Sequence, residues 1–357
     1  MTVLVACGDD DDDTGDTTAE ETTTTAAADG EEEAATGDGA TDEEATGGAV
    51  TQVAVAYDTG GRGDGGFNDL AYLGASETAD ALGAELTEVT ARLEDTDADR
   101  VDRLTLLAED GNNPIIAVGF IYATALAEVA PEFPDTWFGI VDDATVEAPN
   151  VTGLTFAEHE GSFLVGAAAA LMTETDSVGF IGGVDTPLIQ RFQAGFDAGA
   201  QAVNPDIELQ ANYLTQPPDF AGFNDPQRGG EAARGMYEAG ADIIFSAAGG
   251  SGSGVFDVAS ELGTWAIGVD ADEYNTADEA VRDVIITSML KKVDVAVTDF
   301  IENVDDGSVE AGVSLYDLSN DGVGYSTSGG YIDDITGELD DFAEQIRSGE
   351  ITVPDAL

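Results

Sequence analysis

Short, almost wholly apolar runs that break off at an Asp or a glycine recur along this chain from residue 50 onward. VTQVAVAYD (50–58), PIIAVGF (114–120), TWFGIVD (136–142), VTGLTF (151–156), SVGFIGG (177–183), ADIIFSAAG (241–249), TWAIGVD (264–270) and VIITSML (284–290) read as buried strands. Between them lie segments with helical spacing: Asn68 to Leu82, Tyr122 to Val129, Gly161 to Thr173, Leu188 to Val203, Gln227 to Ala239 and Val293 to Val304. In the first of these, Ala71, Ala75, Ala79 and Leu82 share one face and Gly83 stands just past the end. Strands alternating with helices demand parallel sheets covered on both faces, an α/β fold. The 357 residues exceed a usual single domain, and about eight or nine strands in two rhythmic groups predict two lobes facing one another across a cleft.

In open α/β sheets a ligand sits beyond the carboxyl ends of the strands. The segments there are Asp58 with GGRGDGGFND (60–69), Gly119 and Phe120, AAGGSGSG (247–254) and Asp270. The last glycine-rich run lacks the Gly-Lys-Ser/Thr ending of a phosphate loop, and close approach of backbone to an uncharged ligand explains its glycines, Gly249 among them, equally well.

Composition narrows the partners. The formal net charge is −62, with 73 acidic residues against 11 basic ones, so nucleic acid would be repelled and is not expected as a partner. Residues 1–48 hold 16 of the acids and no Lys or Arg, which leaves a body near −46. Such a body repels itself at low salt, because the Debye length is about 30 Å at 0.01 M and about 3 Å at 1 M. Molar salt is its expected solvent, and a halophile its expected source. One Cys and one His, Cys7 and His159, allow neither an internal disulfide nor a Cys/His metal cluster. A Ser-His-Asp arrangement would have to use His159, and no G-x-S-x-G elbow occurs.

At the N-terminus, Leu4-Val5-Ala6-Cys7 has the form of a lipobox, in which the Cys becomes the lipidated first residue after cleavage. Only six residues precede it, so either the start lies further upstream or the match is accidental. Gly8 to Gly48 favours the first reading. It is almost entirely Asp, Glu, Thr, Ala and Gly, too poor in apolar surface to fold, and fits a tether behind an acylated Cys. No later segment approaches the 18 or so apolar residues of a membrane helix.

Residues 60–69, FAEHEGSFLVGAAAAL (156–171) and VGFIGGVDTPLIQRFQAGFDAGA (178–200) carry a resemblance that continues through 223–256, WAIGVDAD (265–272) and ITSMLKKVDVAV (286–297). In this order they resemble the basic membrane protein family of substrate-binding lipoproteins, also called purine nucleoside receptors, in a haloarchaeal form. The resemblance implies a type I periplasmic-binding-protein-like fold, two Rossmann-like lobes closing on a purine nucleoside, and ABC permease and ATPase partners. It also implies attachment to the outer face of the cell membrane. The expected organisation is a signal and lipobox (1–7), a tether (8–48), one lobe from 49–155 plus 286–316, and a second from 156–285 plus 317–357. A monomer without cofactor, metal or catalytic residues is expected. One departure is that Gly65 and Gly66 precede Phe67 where the family usually has Ser before Phe-Asn. A backbone donor or a water could replace that hydroxyl.

The expected site is assembled from these pieces. Phe67 would stack on the base, with Phe120 or Phe256 as the second ring, although core packing suits both of the latter. Asp58, Asp64 and Asn68 share the first loop and offer acceptors, and in Asn68 a donor, to base edges. Asn68 could equally cap the helix it opens. Asp270 ends an apolar strand, where a carboxylate can accept from two ribose hydroxyls. Lys291 and Lys292 are the only lysines. Lys291 matches the family's ligand-contacting lysine and is expected to donate to the ligand and to neutralise Asp270. Two other readings stand beside this one: a receptor of the same fold for sugars or other small polar solutes, and a nucleoside-acting enzyme, which would need a general base or a metal at the site, for which RGDGGFND could superficially supply calcium ligands.

Overall fold

The computed structural model describes residues 50–357; Cys7 and the acidic stretch 8–48 lie outside the described residues. The first lobe runs β1 (Gln52–Tyr57), α1 (Phe67–Leu82), β2 (Glu85–Thr90), α2 (Asp97–Glu109), β3 (Ile115–Ala117), α3 (Ala123–Val129), β4 (Phe138–Val141) and β5 (Val151–Phe156). The second runs α4 (Glu158–Met172), β6 (Ser177–Val184), α5 (Pro187–Val203), β7 (Glu208–Thr215), α6 (Pro226–Glu238), β8 (Ile243–Ala247), α7 (Gly252–Leu262), β9 (Trp265–Asp270), the one-turn α8 (Glu273–Thr276) and β10 (Ile285–Lys291). The chain then passes through α9 (Val293–Asp306) and β11 (Gly312–Tyr316) to β12 (Val323–Tyr325) and α10 (Thr336–Arg347).

Two six-stranded sheets result, ordered β11-β5-β4-β3-β1-β2 and β12-β10-β9-β8-β6-β7. Every pairing is parallel except that of β12 with β10. The two orders correspond strand for strand, so β4 and β9 occupy equivalent places in the two lobes. This is the pair of Rossmann-like lobes that the resemblance implies for a type I periplasmic-binding-protein-like α/β fold.

Central strands such as β6 are buried along their whole length, as continuous apolar runs covered by helices on both faces should be. The outermost strands β2 and β7 are half exposed and read ELTEVT and ELQANYLT, too polar to stand out as apolar runs. In the second lobe α4 and α5 pack backbone to backbone. A Cβ on Gly195 or Gly199 would lie 2.1 Å or 1.9 Å from the carbonyl oxygens of His159 and Phe163, so glycine is required at both. This explains the small-residue texture of GFDAGA.

The chain changes lobes at Ala157, at Lys292, and between β11 and β12. The expected boundary that assigned 286–316 to the first lobe is corrected here. Residues 285–291 form β10, which pairs in parallel with β9, and only from α9, packed on α1, does the chain rejoin the first lobe. The apolar run reveals that a strand exists. Which sheet edge receives its hydrogen bonds is decided by contacts with distant segments.

Candidate functional site

The carboxyl ends of the central strands meet between the lobes. Asp58 follows β1, Gly119 lies just beyond β3 and Asp142 follows β4. From the other side come Ala247 at the end of β8, Asp270 at the end of β9 and Lys291 at the end of β10. They wall a cavity with about 680 Å³ of empty space, open solvent at its mouth included. Of the residues expected from sequence, Asp58, Asp64, Phe67, Asn68, Phe120, Gly249, Asp270 and Lys291 line it.

Phe256 does not. It lies one turn into α7 and is buried in the second lobe's core with Ile244 and Val255, so it cannot be the second stacking ring. Phe192 of α5 and Phe223, ahead of α6, supply aromatic wall instead, with Leu188 and Ile189 beside them. Asp142 was also missed, although its signal was present: FGIVD ends β4 just as AIGVD ends β9. Both aspartates adopt left-handed backbone, with φ of 66° and 64°.

The first loop is organised around Asp64. Its Oδ1 accepts from the amides of Gly66 (3.1 Å) and Asp69 (3.2 Å), and its Oδ2 from the amide (2.8 Å) and side-chain nitrogen (2.9 Å) of Asn68. Asp64 therefore caps α1 by satisfying the free amides of the first turn. Asn68 is a bridge rather than the cap, because its Oδ1 accepts from the Asp58 amide at 3.1 Å. Asp69 accepts from the Gly63 and Gly65 amides, so this loop's carboxylates bind its own backbone. Among the described residues no group of three or more His, Cys, Asp or Glu is placed to hold a metal.

Asp58 is buried, and burial, opposed by hydrogen bonds from Thr59 and by Arg100, pushes its carboxyl up to about 7. Gly119 makes room for it: at φ 97° it has no Cβ, which would otherwise lie 2.6 Å from Asp58 Oδ2. Asp270 is pushed up to about 7, chiefly by burial, against the pull of Lys291 and with the help of Asp142 and Asp64. Its Oδ1 and that of Asp142 are buried without hydrogen-bond partners, two acceptors poised for donors.

Lys291 is 2% exposed. Its Nζ donates to Asp142 Oδ2 at 2.6 Å and lies 3.8 Å from Glu158 Oε1. The expected pairing with Asp270 is thus corrected, since the direct partner is Asp142 from the opposite lobe. Burial works against its charge, but Asp142, Asp270 and Glu158 outweigh it and hold the ammonium above the usual lysine range. The ring centroids of Phe67, Phe156 and Phe192 lie 5.0, 5.0 and 5.6 Å away, within cation–π reach.

Further contacts join the lobes around the cavity. Phe120 meets Phe220 edge to face at 6.0 Å, and Thr276 Oγ1 donates to the Gly65 carbonyl at 2.9 Å. Chemically, the site offers aromatic faces, carboxylate acceptors from both lobes and one ammonium donor. It suits a neutral, donor-rich, partly flat solute.

The comparisons agree with this geometry. Residues 51–356 match the family described as ABC transporter substrate-binding protein PnrA-like, abbreviated Bmp. The ABC transporter nucleoside-binding protein BmpA of Lactococcus lactis subsp. cremoris is 30% identical over 335 residues, 88% of this chain and 92% of that protein. An uncharacterised lipoprotein of Pyrococcus horikoshii is 33% identical over 301 residues, 81% of this chain and 72% of that protein. Among solved structures, an ABC transporter system solute-binding protein from Aeropyrum pernix superposes with a TM-score of 0.74 at 28% identity, covering 85% of this chain and 94% of its own. A family match over nearly all the described residues, joined to strand-end acids and a lysine converging between two lobes, leads to one conclusion: this chain belongs to the Bmp family of PnrA-like ABC transporter substrate-binding proteins.

Proposed function

We propose that the protein is the lipid-anchored, outward-facing receptor of an ABC importer, that it takes a purine nucleoside into this cavity, and that it passes the ligand unaltered to a permease and its ATPase. The observation that carries the ligand assignment is the pairing of phenylalanine walls with unpartnered buried carboxylate oxygens from both lobes. Phe67 and the facing aromatics suit a base, where stacking is worth on the order of 1 to 3 kcal/mol. Asp58 suits its ring N–H and amino donors, and Asp270 the ribose hydroxyls, with Lys291 donating to a ligand acceptor. The relative named as nucleoside-binding supports the same ligand class.

The lipobox at Cys7 and the relative named as a lipoprotein support the anchor. Among the described residues no helix is long and apolar enough to cross a membrane. A sugar receptor is the second reading, and here the abundance of aromatic wall favours a base.

One experiment tests the proposal. The protein is extracted from its native membrane in molar salt, and both its bound small molecule and its Cys7 peptide are read by mass spectrometry. The expected result is an intact purine nucleoside and a diacylated cysteine. A sugar, a free base released from added guanosine, or an unmodified Cys7 would each overturn the corresponding part.

A further inference from the structure

Glu158 is a buried acid that the cavity does not use. It is 1% exposed, opens α4 one residue after the first crossover, and is not among the residues that line the cavity. Its Oε1 lies 3.8 Å from Lys291 Nζ. Its Oε2, which accepts no hydrogen bond, lies 3.7 Å from the Arg191 guanidinium of α5.

The acids around Lys291 differ in where they are mounted. Glu158 and Asp270 belong to the second lobe, as Lys291 itself does, and α4 packs on α5, β10 and β12 of that lobe. Asp142 belongs to the first lobe. Movement of one lobe against the other therefore leaves the Lys291–Glu158 pair in place and makes or breaks the 2.6 Å Lys291–Asp142 bond. Closing the lobes also brings Asp142 beside Glu158, which already lies 3.8 Å from that ammonium, and like charges at close range in a buried site repel.

We propose that Glu158 is a positioning residue for Lys291: it keeps the ammonium on the second lobe and competes with Asp142 for it, so that its charge opposes lobe closure and lowers affinity for the ligand. Protonation of Glu158 relieves this competition. Burial, with Lys291 against it and Asp142 behind it, pushes that carboxyl up to about 7, so the relief falls within the neutral range. The charged groups facing the pair are Asp142, Asp270 and Arg191.

The test rests on the nucleoside reading only through its probe. Guanosine binding in molar salt is measured by titration calorimetry for wild type and Glu158→Gln at pH 8 and pH 6. At pH 8 the variant is expected to bind about fivefold more tightly, the low end of couplings between sites, and at pH 6 the two should converge. Weaker binding by the variant at both pH values, as for a merely structural residue, or identical binding at both, overturns the proposal.

A second measurement needs neither that variant nor any ligand. The chain has two lysines, so lysine-selective carbon labelling yields two ε-carbon signals. In a background carrying Asp58→Asn and Asp270→Asn, which removes the two cavity acids that are also pushed up to about 7, the Lys291 signal is expected to show an inflection near pH 7 that Lys292 lacks. A featureless Lys291 titration sinks the idea. Failure of wild type to bind guanosine would count against the nucleoside reading, and the lysine titration would then decide the role of Glu158 alone.

Discussion

Lys291 concentrates the chemistry of the site. Its ammonium is the one basic group among the cavity's lining residues, and it faces Asp142 across the lobe boundary. Loss of a charge-assisted hydrogen bond to a ligand costs roughly 1.5 to 3 kcal/mol. Lys291→Ala should therefore weaken guanosine binding by at least tenfold in molar salt. It should also lower the melting temperature, because removing one partner of a buried pair leaves Asp142 uncompensated, at about 3 to 5 kcal/mol. Lys292 is half-buried at the start of α9, outside the cavity, and Lys292→Ala should change neither quantity much. Calorimetry and thermal melts of both variants check this; equal, small losses would remove Lys291 from the site. Lys291 itself was legible, as a lysine beyond a strand end in a chain nearly without lysine. Its partner was not, because Asp142 lies 149 residues away in the sequence.

Among the elements, α1 shows how a loop delivers side chains. Asp64 gathers the amides of Gly66, Asn68 and Asp69, and so fixes both the start of the helix and the direction in which Phe67 and Asn68 enter the cavity. Replacing a helix cap by alanine costs about 0.5 to 2 kcal/mol. Asp64→Ala should lose stability in that range and guanosine affinity with it, while Asp64→Asn keeps an acceptor and loses less. Thermal melts with matched calorimetry would show this; unchanged affinity in the alanine variant would mean that the cap does not orient the site. Elements with strong apolar periodicity, such as α1 and β5, could be read directly. The edge strands β2 and β7 and the charged helix α2, DADRVDRLTLLAE, escaped because neither strand has a buried position and only Arg100, Leu104, Leu107 and Ala108 of the helix are buried. Phe256 and Phe192 could not be told apart by type. Which face of a helix looks onto the sheet and which onto the cleft is decided by packing.

At the scale of the whole molecule, the net charge sets an expectation about salt. A body near −46 repels itself, and salt screens that repulsion. Dilution from molar salt to about 0.1 M, where the Debye length grows to about 10 Å, should lower the melting temperature and loosen ligand binding. A melting temperature flat over that range would show that the acidity serves another end. The alternation of apolar runs and helical segments was enough by itself to predict two largely parallel sheets with a cleft at their strand ends, because strand burial and helix amphipathicity are local properties of the chain. The membership of β10, the partner of Lys291 and the placing of Phe192 and Phe223 rather than Phe256 in the cavity wall were decided only by tertiary structure. Each depends on which distant segment supplies the neighbouring hydrogen bond, counter-charge or wall, and no local pattern encodes that.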